Sequence, residues 1–159
     1  MAMQKKRSLK NIIYQLLKIL NIGYIGPLAG IHAGMDWLKK NSPETEWLIT
    51  LPGDTPFIPS DLIFRFKNKI STKLKIILAI SEQKKHPIIG AWHISLFSSL
   101  NISINKGTRK ILKWAETHPI DYIKFAQKDY DPFFNINTKE DIKKAELIEK
   151  KILKKIQKR

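Results

Sequence analysis

A short apolar run, Trp47-Leu48-Ile49-Thr50-Leu51, stops abruptly at Pro52-Gly53. An apolar run of this length reads as a strand buried on both faces. A proline followed by glycine cannot carry the ladder further. The next residues, Asp54-Thr55-Pro56-Phe57-Ile58-Pro59, place Asp54 between two proline turns, just past the carboxyl end of that strand. In open α/β sheets, ligands bind at that edge. A carboxylate held there suits Mg²⁺, a hard cation usually bound through one or two carboxylates plus substrate phosphates. Asp is equally at home as a turn cap, and spacing alone leaves both roles open.

The rest of the chain supplies the partners such a strand needs. Residues 74–80 and 88–94 read as strands, the second interrupted by Gly90, with a polar loop over residues 82–87 that ends at His86-Pro87. Residues 122–125 read as a further short strand. Helices are expected from a cap at Ser60 or Asp61 to about residue 69, over residues 95–100, and from the Gly107-Thr108-Arg109-Lys110 stretch through Glu116. Strands alternating with helices predict an α/β fold with a mostly parallel sheet. A length of 159 residues is that of one domain with a single sizeable core.

Two segments precede the Asp54 strand. In residues 1–22, Lys5, Lys6 and Arg7 are followed by Leu9, Ile12, Ile13, Leu16, Leu17 and Leu20 at helical spacing, with Lys10 and Lys18 off that stripe. This predicts a basic amphipathic helix covering part of the chain's own core, with a membrane-surface helix as the other reading. Lys18 interrupts the apolar run, which argues against a secretory signal. Residues 23–30, Gly-Tyr-Ile-Gly-Pro-Leu-Ala-Gly, then lead into an apolar-periodic run over residues 31–38. Gly26-Pro27 suits a loop followed by a helix start, because proline has no N–H to leave unpaired in a first turn. Small residues at Ala29 and Gly30 admit either a ligand or a closely packed backbone.

Composition narrows the function classes. With no cysteine, disulfides and thiolate metal sites are excluded, and a reducing cytoplasm is the expected location. No apolar run approaches the length of a membrane span. The net charge of +15 invites a nucleic-acid reading. Arg7, Arg65, Arg109 and Arg159 are the only arginines among 29 basic residues, however, and the lysines are spread along the chain. Planar, bidentate recognition of phosphate or guanine calls for arginine, so no specific nucleic-acid partner is expected. Trp37, Trp47, Trp92 and Trp114 have apolar surroundings in sequence and read as core.

A second unusual stretch runs Asp131-Pro132-Phe133-Phe134-Asn135-Ile136-Asn137-Thr138-Lys139-Glu140-Asp141. Asn137 or Thr138 caps the last helix, with Glu140 or Asp141 in its first turn. Capping leaves Asn135 unexplained. It lies two residues before Asn137 and so on the same face of an extended segment. The paired amides either hold a polar ligand or satisfy local backbone groups. The lysines toward the end of the last helix complement its dipole.

Three segments now stand in order: Gly26-Pro27-Leu28-Ala29-Gly30, Leu51-Pro52-Gly53-Asp54-Thr55-Pro56-Phe57-Ile58-Pro59, and Phe134-Asn135-Ile136-Asn137-Thr138 with Glu140-Asp141. Together they resemble the molybdenum cofactor guanylyltransferases, the MobA-like branch of the nucleotidyltransferases. His86-Pro87 and Gly107-Thr108-Arg109-Lys110 fall where that family has an HP turn and a Gly-x-Arg-Arg-like helix start. The likeness runs over roughly residues 23–146. It implies a Rossmann-like, three-layer nucleotidyltransferase fold. It also implies transfer of GMP from MgGTP to molybdopterin-bound molybdenum, with release of pyrophosphate. Asp54 would match the family's metal-binding aspartate. Gly26, Pro27, Leu28, Ala29 and Gly30 would match the loop near the nucleotide, and Asn135 and Asn137 the segment that faces the pterin.

The sequence departs from that family at its start. A strand and a glycine-rich Leu-Ala-Gly-Gly loop bearing Arg and Lys normally wrap the triphosphate, and no such loop stands before Gly26. The expectation is a domain over residues 23–159 that is N-terminally incomplete. The loop would then be supplied by another chain, or the protein would be an inactive fragment. An exposed sheet edge would favour self-association or a partner chain. The contrasting reading is a non-catalytic basic binding module on the same scaffold.

Overall fold

A computed structural model describes residues 26–82, 84–127 and 129–157. The helix expected over residues 1–22, and the domain boundary after it, lie outside the described residues. The elements in chain order are α1 (Pro27–Asn41), β1 (Trp47–Thr50), α2 (Leu62–Lys69), β2 (Ile76–Ser81), β3 (Lys84–His93), a 3₁₀ turn (Ile94–Leu96), α3 (Phe97–Asn105), α4 (Ile111–Ala115), β4 (Ile120–Phe125) and α5 (Lys139–Ile156). They fall into two compact units. One holds the described residues up to Leu48 together with His93–Thr117, and the other Ile49–Trp92 with the described residues from His118 onward.

The first unit is built on α1 and α3, which pack together. Pro27 occupies the first turn of α1, preceded by Gly26 at φ 72°, a left-handed conformation that glycine adopts without a Cβ clash. Leu28, Ile31 and Met35 are buried from one face of α1, and Lys39 and Lys40 sit in its last turn. His32 stacks on Phe97 with ring centroids 4.5 Å apart, and the Lys39 ammonium lies 4.3 Å above the same ring. At the end of α3, Gly107 takes φ 83°. Its N–H donates to the Ile104 carbonyl and the Thr108 N–H to that of Ser103. This pair of bonds is the Schellman closure. Gly107 and Thr108 therefore end one helix rather than start the next, which begins at Ile111.

The second unit carries most of the sheet, whose strand order is β1-β3-β2-β4. β2 and β4 run parallel, with Ile76 opposite Ile120 and Ser81 opposite Phe125. β2 and β3 run antiparallel, so the sheet is mixed. The polar loop expected over residues 82–87 is instead the tight turn of this hairpin, and Lys84, Lys85, His86 and Pro87 already belong to β3. Glu82 turns the corner at φ 49°. The β2–β3 register jumps between Leu78, opposite Gly90, and Ala79, opposite His86. Residues 87–89 thus form a bulge, where the missing N–H of Pro87 costs no ladder bond.

The strand buried on both faces is β2, whose Ile76, Ile77, Leu78 and Ala79 are fully buried. The sequence pattern assigned that role to β1, but β1 is half-buried at all four positions. The reason is its place at one end of the strand order, whereas β2 lies inside it. β1 is secured by a side-chain link to the bulge. Thr50 Oγ1 donates to the Ile88 carbonyl at 2.6 Å and accepts from Trp92 Nε1 at 2.8 Å. Gly90 sits where a Cβ would come within 2.5 Å of Leu78 Cδ2 and 3.0 Å of the Ile77 carbonyl oxygen, so the bulge needs a residue without a side chain. Trp92 and Trp114 are buried as expected, whereas Trp37 is 43 % exposed on α1.

Candidate functional site

β1 ends at Thr50, and the chain turns through Pro52 and Gly53 to Asp54. Asp54 is half-buried and Thr55 beside it is buried. The Asp54 carboxylate meets one polar group among the described residues, the Thr55 hydroxyl, at a long 3.4 Å. It receives no backbone N–H, so it does not perform the turn-capping role that its sequence position also allowed. Asp131 shows what that role looks like: its carboxylate accepts the Phe133 N–H at 2.9 Å, and its carbonyl accepts the Phe134 N–H at 3.0 Å. A half-exposed carboxylate with oxygen lone pairs to spare fits a hard divalent cation shared with substrate phosphates.

The segment after Asp131 comes to the Asp54 turn through the backbone. The Ile136 N–H donates to the Asp54 carbonyl at 2.9 Å. Asn135 and Asn137 flank this bond, and both are exposed while Ile136 between them is half-buried. This is the alternation expected of two amides on one face. Neither amide side chain makes a hydrogen bond among the described residues, so they do not satisfy local backbone groups. Capping falls to Thr138 and Asp141. Thr138 Oγ1 accepts the Asp141 N–H at 3.2 Å, and the Asp141 carboxylate accepts the N–H groups of Thr138 and Asn137. The Thr138 hydroxyl and the Asn137 N–H hold the Asp141 carboxyl below the usual carboxylate range.

Beneath this segment lies a cluster that no sequence pattern foretells. Phe133 is 2 % exposed, and its ring meets Phe125 of β4 at 5.1 Å and His86 of β3 at 4.6 Å. His86 is itself buried, with Nε2 2.7 Å from Ser81 Oγ at the end of β2. Burial pushes the His86 imidazole below its ordinary range, partly offset by Asp131. Arg65 of α2 closes the cluster, its guanidinium 4.2 Å above Phe125 and its Nη2 donating to the Lys124 carbonyl at 2.7 Å. The only sequence hint was His86-Pro87 itself, since proline holds the residue before it extended.

Residues 26–30 belong to the first unit. Leu28 is in the core, so its side chain is closed to a ligand. Gly30 is exposed, and a Cβ there would meet nothing within 4 Å, so the first turn of α1 is open at that point rather than tightly packed. In the second unit a cavity of about 690 Å³ opens next to the Asp54 turn in sequence, walled by Pro56, Phe57, Pro59, Tyr130, Pro132 and Ile152 among others. The Phe57 and Tyr130 rings meet edge to face at 5.6 Å, and an ion pair joins Asp129 to Lys155 at its wall. Asp54, Asn135 and Asn137 are not among its walls.

Residues 14–120 match the description of the MobA-like NTP transferase domain. The chain is 39 % identical over 123 residues to a protein of Nitrobacter hamburgensis named molybdenum cofactor guanylyltransferase, covering 76 % of this chain and 59 % of that protein. A protein of the same name from Rhodopseudomonas palustris is 36 % identical over 128 residues, covering 79 % and 61 %. Among solved structures, the molybdopterin-guanine dinucleotide biosynthesis protein A of Archaeoglobus fulgidus superposes with a TM-score of 0.62 at 26 % identity, covering 79 % of this chain and 64 % of that one. The chain thus spans about three fifths of the length of the curated relatives it matches.

Proposed function

Because the chain belongs to the MobA-like NTP transferase domain family, we propose that it is a molybdenum cofactor guanylyltransferase, moving GMP from GTP to molybdopterin-bound molybdenum. The observation that carries this reading is half-exposed Asp54, whose backbone carbonyl accepts the Ile136 N–H and so joins its turn to the segment that bears Asn135 and Asn137. The names borne by its relatives support the same reading.

In this reaction a terminal phosphate oxygen of the pterin attacks the α-phosphorus of GTP. The bond to the β-phosphate breaks and pyrophosphate leaves. Such a transfer needs positioning and charge neutralisation rather than a protein nucleophile. Asp54 would hold Mg²⁺, which supplies charge neutralisation at the phosphates when bound. Asn135 and Asn137 present amide donors and acceptors to the polar edge of the pterin. Within the first unit, the backbone of residues 26–30, with Gly30 open, would meet the nucleotide as the family resemblance implies. The positive surface raises the local concentration of both polyanionic substrates.

The reaction belongs in the cytoplasm, and among the described residues no helix is long and apolar enough to cross a membrane. β1, half-buried throughout at one end of the strand order, favours a partner chain or a second copy along that edge. The test is transfer of label from α-³²P-GTP to molybdate-loaded molybdopterin with stoichiometric pyrophosphate. Label transfer from GTP in preference to CTP supports the assignment. Absence of transfer by the protein refutes it.

A further inference from the structure

We infer that His86 is a positioning residue for this site: fixed by Ser81 and packed against Phe133, it sets the backbone of residues 134–137 on Asp54. The inference rests on the reading of Asp54 and Asn135–Asn137 as the substrate site, but its geometry stands without it. Ser81 and His86 come from the two strands of one hairpin, and both are buried. Their hydrogen bond of 2.7 Å fixes the direction of the imidazole plane. An aliphatic pair would fill the same space without that direction, and a satisfied polar pair in an apolar core specifies one arrangement. Pro87 keeps the His86 backbone extended.

The His86 ring then bears on Phe133 at 4.6 Å, and Phe125 bears on the same ring from β4 at 5.1 Å. Phe133 is further anchored by its N–H to the Asp131 carboxylate. Three residues later, Ile136 donates its N–H to the Asp54 carbonyl. Only Phe134 and Asn135 separate Phe133 from Ile136, and both ends of this short stretch are held by backbone hydrogen bonds, Phe134 N–H to the Asp131 carbonyl and Ile136 N–H to the Asp54 carbonyl. No contact between His86 and a substrate is required.

The test is native-state amide exchange by NMR on the full chain, reading Ile136 against Leu78, a fully buried position of β2. In His86→Leu and in Ser81→Ala, Ile136 exchange is expected to accelerate at least about tenfold more than Leu78 exchange, the mark of local rather than global opening. His86→Gln, which can still bond Ser81, is expected to restore most of the protection. An unchanged Ile136-to-Leu78 ratio in His86→Leu overturns the inference. If that variant does not fold, the same ratio in Ser81→Ala decides. Parallel titration with Mg²⁺-GTP separates the two readings. A shifted exchange ratio in a protein whose wild type binds no nucleotide keeps the positioning role and removes the transferase reading. Wild-type binding with an unshifted ratio removes the positioning role alone.

Discussion

Replacing Phe133 with alanine probes whether the floor under residues 134–137 is structural. The side chain is 2 % exposed and meets two other rings. Removing it forfeits the burial of a whole phenyl group and leaves a cavity between β3, β4 and the segment above. Phe→Ala changes at such sites cost about 3–5 kcal/mol, because the surroundings collapse only in part. Against a total stability of about 5–15 kcal/mol for a typical domain, that is a large share. For a chain of this length each kcal/mol lowers Tm by about 2–4 °C, so a fall of about 6–20 °C is expected. Phe133→Leu keeps most of the volume and should lose under about 1.5 kcal/mol for shape. The two ring contacts add about 0.5–1.5 kcal/mol each to that loss. Thermal unfolding followed by circular dichroism, with urea midpoints as a second measure, reads both variants. Phe64→Ala is the control: its side chain is 66 % exposed and should change stability by less than about 0.5 kcal/mol. A Phe133→Ala protein melting within about 2 °C of wild type would refute the packing account.

Other consequences follow from the same geometry. Gly90→Ala forces a Cβ against Leu78 and the Ile77 carbonyl and should cost about 1–3 kcal/mol by urea denaturation; no loss would mean that the bulge can yield. Thr138→Ala removes the cap of α5 and should cost about 0.5–2 kcal/mol, read as a lowered urea midpoint and faster exchange in the first turn of that helix. Burial holds His32 and His86 below their ordinary value of 6.5, so the unfolded chain takes up protons that the folded one resists. Stability should therefore fall as pH drops below about 6.5, and His86→Gln should flatten that dependence, measured by urea midpoints across the range. A wild-type slope left intact in His86→Gln would assign the effect elsewhere.

What could be read from the chain without coordinates was governed by local signals. Pro27 in the first turn of α1 and the Thr138–Asp141 capping box are both short-range chemistry, and both stand where the residue types placed them. The hairpin was missed because its turn carries no glycine. Glu82 takes the left-handed conformation itself, and the bulge over residues 87–89 hides the pairing period. β1 looked doubly buried because an apolar run reports hydrophobicity, not the place of a strand in its sheet. The pairing of Ile136 with Asp54 and the tilted ring contact of His86 with Phe133 join residues far apart in sequence, which no pattern within either segment encodes. The amides of Asn135 and Asn137 could be placed on one face from spacing, but only the structure frees them of local bonds.

On the proposed function, the Asp54 carboxylate serves a divalent cation and its nucleotide rather than the fold. Isothermal titration of GTP into wild-type protein and Asp54→Ala, with Mg²⁺ and with EDTA, separates the two roles. Mg²⁺-dependent binding is expected in the wild type, at least about tenfold weaker in Asp54→Ala, a loss of about 1.4 kcal/mol, at an unchanged melting temperature. Equal affinity in the two proteins, or binding indifferent to Mg²⁺, would contradict it.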